Sequence, residues 1–68
     1  MFMVIKLYEL WARRRNGSCD LIVRFERYEE IFYRMDCLDP EEFSEGLVLK
    51  DGHCVLYKIF DLKKGRKR

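Results

Sequence analysis

The spacing of apolar residues along this chain changes from strand-like to helix-like and back, and each change marks an element. Over residues 2–14 the apolar positions occupy both parities. Met3, Ile5, Leu7 and Trp11 fall on one, and Val4, Tyr8, Leu10 and Ala12 on the other. The β-branched and aromatic content of this stretch favours a strand. Successive strand side chains face opposite ways, so such a strand offers an apolar row on each side. Asn16-Gly17 comes next, a pair suited to the positive φ angles of a tight hairpin. Over residues 20–26 the alternation is clean, with Leu21, Val23 and Phe25 on one face and Arg24 and Glu26 on the other. A first antiparallel hairpin is expected.

After Glu26 the period lengthens. Tyr28, Ile31, Phe32 and Met35 stand at i, i+3, i+4 and i+7, which predicts a helix over about residues 28–38 with that stripe packed inward. Glu29 and Glu30 near its start and Arg34 near its end suit the helix dipole. Pro40 ends the helix by about Asp39. Asp39-Pro40-Glu41-Glu42 then reads as a short fresh helical start, capped by Asp39 and stopped by Gly46. Residues 47–50 and 53–60 form a second hairpin through Asp51-Gly52. Its last strand sets Val55, Tyr57 and Ile59 against Cys54, Leu56 and Phe60. The order is ββαββ, which predicts an α+β domain: a four-stranded antiparallel sheet with one helix packed on one face. The domain is expected to occupy residues 1–62, with residues 63–68 as a flexible basic tail.

Composition narrows the class. Sixty-eight residues make one domain, and a chain this short buries only about 60% of its unfolded surface. Ten aromatic residues in a chain that is 49% hydrophobic are nonetheless enough for a core. No apolar run approaches the ~20 residues that span a bilayer. The apolar opening is broken by Lys6 and Glu9 too soon for a secretory signal, so a soluble cytoplasmic protein is expected. Cys19, Cys37 and Cys54 are odd in number and widely spaced, which is no disulfide framework. They form no C-x-x-C knuckle, and His53 and Cys54, adjacent on a strand, point to opposite faces. Neither a metal nor another cofactor is expected. His53 is the sole histidine, Ser18 and Ser44 are the sole serines, and threonine is missing altogether. No nucleophile with a base and an orienting partner can be assembled from these, so the expectation is a protein that is not an enzyme.

Charge adds a lead that the net value of +2 conceals. Residues 20–45 hold nine acids against three bases, and the rest of the chain holds eleven bases against three acids. Two basic clusters stand out: Arg13, Arg14 and Arg15 after the first strand, and Lys63, Lys64, Arg66, Lys67 and Arg68 after the last. With a helix between the hairpins, strands one and four run the same way and bring both clusters to one end. Such an end attracts phosphates, with Tyr8 and Trp11 near enough to stack on bases. Nucleic-acid binding of this kind would be weak, salt-sensitive and indifferent to sequence. The blander role for the same charges is solubility and the blunting of a strand edge.

The stronger lead is apolar. One helix covers one sheet face, and the first and last strands carry apolar rows on both. The uncovered face therefore points to a non-enzymatic interaction module that forms a homodimer or docks a protein partner. Tyr8, Leu10 and Trp11 are its candidate contacts, with Trp11 as the anchor.

Overall fold

The computed structural model describes residues 6–61, which form β1 (Tyr8–Arg14), β2 (Cys19–Phe25), α1 (Glu30–Asp36), β3 (Phe43–Lys50) and β4 (His53–Ile59). The four strands make one sheet in the order β2-β1-β3-β4, and every neighbouring pair is antiparallel. The α+β class and the ββαββ order are as the sequence predicts. The part of the first strand expected before residue 6 and the tail at 63–68 lie outside the described residues.

Both hairpins turn where the Asx-Gly pairs stand. Asp51 and Gly52 both have positive φ, 55° and 80°, the pairing that a two-residue type I′ turn requires. In the first turn Gly17 takes φ 102°, and the Asn16 carboxamide oxygen accepts hydrogen bonds from the Ser18 amide and hydroxyl, each 2.9 Å. β1 and β4 run in the same direction, separated by β3.

Cross-strand registers sort the side chains. On one face lie three rows that cross all four strands: Phe25–Tyr8–Lys50–His53, Val23–Leu10–Val48–Leu56 and Asp20–Ala12–Gly46–Lys58. α1 packs here through Ile31 and Met35, and Leu38 follows it into the same core with Phe43 and Phe60. Leu10, Met35 and Val48 are its most buried large side chains. The Lys50 ammonium lies 4.3 Å from the centre of the Tyr8 ring, and Lys58 reaches Asp36 of the helix at 3.6 Å.

Five sequence expectations need correction. The helix is shorter than residues 28–38, and its buried residues are Ile31 and Met35; Tyr28 and Phe32 stand 63% and 60% exposed. The turn at Arg27–Glu30 precedes the helix with two i to i+3 hydrogen bonds of 3.1 Å, which rotates the stripe away from Tyr28. The segment after Pro40 is one turn rather than a helix: the Asp39 carbonyl accepts from Glu42 and Phe43, and its carboxylate accepts from the Glu41 amide at 3.0 Å. Gly46 is no stop signal; it sits buried inside β3, under the helix. Finally, Leu21 does not share a face with Val23 and Phe25. The β1–β2 register shifts between Leu10 and Trp11, leaving Ile22 as an extra residue, and this bulge moves Leu21 opposite Trp11. A matching shift in β4 leaves Val55 extra and sets Cys54 opposite Leu49, away from Leu56.

Candidate functional site

The face opposite α1 also consists of rows of four. The central row is apolar across the whole sheet: Leu21–Trp11–Leu47–Tyr57. On either side of it lie Arg24–Glu9–Leu49–Cys54 and Cys19–Arg13–Glu45–Ile59. Each flanking row contains one acid and one base on neighbouring strands, and each pair is closed. Arg24 Nε donates to Glu9 Oε2 at 3.1 Å, and Arg13 Nε lies 3.2 Å from Glu45 Oε2.

The same two carboxylates satisfy the polar atoms of the central row. Trp11 Nε1 donates to Glu9 Oε1 at 3.1 Å, and the Tyr57 hydroxyl donates to Glu45 Oε1 at 2.7 Å. The Trp11 bond, helped by Arg24, holds the Glu9 carboxyl below the usual glutamate range. The bond to Glu45 pushes the Tyr57 phenol up. What remains is an apolar strip, half-buried at Leu21, Trp11 and Leu47 and 50% exposed at Tyr57, between two ion pairs. An apolar centre inside a polar rim is the anatomy of a protein contact surface.

Of the expected contact residues, the structure leaves Trp11 alone on this face. Tyr8 and Leu10 are 8% and 1% exposed, turned into the core beneath the helix, and offer a partner no surface. Leu21, Leu47, Tyr57 and Ile59 belong to the site without having been singled out. The parity of β4 already groups Tyr57 with Ile59, but nothing in the sequence marks the bulge that brings Leu21 across.

The arginines that suggest phosphate binding have other partners. Arg13 is paired with Glu45 and also donates to the Gly17 carbonyl at 3.2 Å. Arg14 Nε bonds Asp20 at 2.7 Å and Nη1 bonds Glu42, and these two hydrogen bonds, Asp20 first, raise the guanidinium pKa. Arg15 donates to the carbonyls of Pro40 at 3.0 Å and Phe60 at 2.7 Å. The three side chains tie the ends of β1, β3 and β4 to the turn after α1. Lys63, Lys64, Arg66, Lys67 and Arg68 lie outside the described residues.

Small-molecule sites are poorly provided for. A hollow of about 60 Å³ lies between Trp11, Leu47 and Tyr57, and one of about 250 Å³ lies beside Leu7 and Asp51. Ligand pockets generally start near ~300 Å³. Among the described residues no group of three or more His, Cys, Asp or Glu could hold a metal ion, and the three cysteines are exposed and free. No described helix is long and apolar enough to cross a membrane. Comparison with protein-family models, with curated proteins and with solved structures gives no match to this chain.

Proposed function

We propose that this chain is a non-enzymatic interaction module that docks an apolar protein surface, a second copy included, through the face opposite α1. The observation that carries the reading is the central row Leu21–Trp11–Leu47–Tyr57, with its two polar atoms already bonded to Glu9 and Glu45. A partner can cover this row without stranding a donor, so burial carries no unsatisfied polar cost. The face is also electrically balanced, with two acids and two bases. That supports an apolar protein partner over a nucleic acid, whose binding needs free cations.

Trp11 is the anchor, because large aromatics at the centre of a contact dominate its energy. Replacing it by lysine places a charge beside Glu9 and Glu45, which leaves the monomer fold intact and penalises burial. Trp11→Lys is expected to weaken association through this face by about 2 kcal/mol, roughly thirtyfold in Kd. Sedimentation across a concentration series measures the loss, and far-ultraviolet circular dichroism confirms the fold. A Trp11→Lys variant that associates like the parent at every concentration removes this face from the reading.

A further inference from the structure

The edge strand β4 offers backbone groups that the face opposite α1 does not use, although its Tyr57 and Ile59 also lie on that face. β2 and β4 are the two edges of the sheet, and they differ in how well they are protected. β2 is interrupted at its centre by the bulge at Ile22, and a bulge twists an edge out of pairing geometry. In β4 the extra residue is Val55, the third of seven, and the pairing with β3 runs regularly from Leu56 to Ile59. It contains no proline and one charge, Lys58, whose ammonium is drawn over the helix side toward Asp36. Val55, Tyr57 and Ile59 are 46%, 50% and 61% exposed, at every second position along this edge.

The hydrogen-bonding direction follows from the ladder. The Phe60 amide donates inward to the Ser44 carbonyl at 2.9 Å. Amides alternate in direction along an antiparallel strand, so those of Tyr57 and Ile59 point away from β3, toward the open edge.

We propose that this edge takes the β4 strand of a second copy, antiparallel, with Tyr57 opposite its own counterpart across a two-fold axis. The argument is self-complementarity. In this register Val55 of each copy faces Ile59 of the other, and Leu56 faces Lys58. The exposed apolar residues then form one unbroken ladder, and no charge meets its like. A shift of one residue toward the C-terminus would set Lys58 against Lys58. The proposed register ends at the bulge residue Val55, whereas the opposite shift would carry the pairing across the bulge to Cys54. The product is an eight-stranded sheet with both helices on one side and both apolar rows on the other, closed by an isologous contact.

Cysteine cross-linking tests the register in a background in which Cys19, Cys37 and Cys54 are replaced by serine. Directly opposed residues in a hydrogen-bonded pair lie at a Cα separation of ~5.5 Å, within disulfide range. Tyr57→Cys is expected to give a covalent dimer on oxidation. Val55→Cys alone is expected to give none, because its two copies lie ~13 Å apart along the strands at 3.3 Å per residue. Mixing Val55→Cys with Ile59→Cys restores the link. Ile59→Pro removes an outward amide without touching the β3 ladder and is expected to halve the sedimenting mass, whereas Trp11→Lys leaves this dimer in place. A dimer lost with Trp11→Lys but retained with Ile59→Pro would overturn the edge contact and keep the face. Loss with neither variant, a monomer throughout, or head-to-tail growth into longer polymers would also overturn it.

Discussion

Replacing Leu10 by alanine is expected to cost about 4 kcal/mol, within the range for fully buried leucines. Leu10 is 1% exposed and stands between Val23 and Val48 in the middle row beneath α1, so its removal leaves a hole that three strands frame. A domain of this size has roughly 3–10 kcal/mol of stability in total, at ~0.05–0.15 kcal/mol per residue. The variant should therefore lose at least about two-fifths of its stability. A urea titration followed by Trp11 fluorescence measures the shift, with the slope unchanged if only stability has moved. Phe32→Ala supplies the contrast. Its ring is 60% exposed, and the change should fall within about 0.5 kcal/mol of zero. A large loss at Phe32 would mean that the helix packs through the wider stripe its sequence spacing implies.

A comparable loss is expected from adding a side chain at Gly46. A Cβ there would run into Met35 Sδ and come within 3.0 Å of Leu38 Cδ1. Met35 is itself 1% exposed, so its thioether has no open space into which to retreat. Gly46→Val should cost about 3 kcal/mol, the upper end of ordinary overpacking. Combining it with Met35→Ala tests the cause, since the valine then fills the space that the thioether vacated. A favourable coupling of about 1 kcal/mol or more is expected from the double-mutant cycle. Simple additivity would place the strain elsewhere.

The sequence reveals those features whose physics is local. The turns at Asn16-Gly17 and Asp51-Gly52 are legible because each needs positive φ and the sequence supplies residues that tolerate it. The split of β1 into Tyr8, Leu10 and Ala12 against Glu9, Trp11 and Arg13 is legible because alternation is a property of one strand. The bulges at Ile22 and Val55 are not, since a bulge exists only relative to the partner strand. The same holds for Gly46, which reads as a punctuation mark until Met35 and Leu38 are seen above it. For the site, Trp11 is legible as a large aromatic on a strand that is apolar on both faces, but which of those faces the helix covers is not, so Tyr8 and Leu10 are grouped with it. Leu21 is hidden by its bulge, and the occupation of Arg13, Arg14 and Arg15 depends on carboxylates and carbonyls distant in sequence.

The pairing of β1 with β3 also sets the order in which this fold can assemble. Each hairpin closes across a tight turn, so its strands meet within microseconds. β1 and β3 are joined through β2, the helix and both connections, so their meeting closes a long loop before any of its contacts form. The two hairpins are therefore expected to meet as formed halves, with the barrier at the seam where Leu10 meets Val48 and Ala12 meets Gly46. Stopped-flow refolding of Leu10→Ala should show the loss mainly as slower folding, and Asp51→Ala, which strains the second turn at φ 55°, should likewise slow folding and leave unfolding unchanged, because that turn is complete before the barrier is crossed. A seam variant that only hastened unfolding would place the barrier before the halves have met.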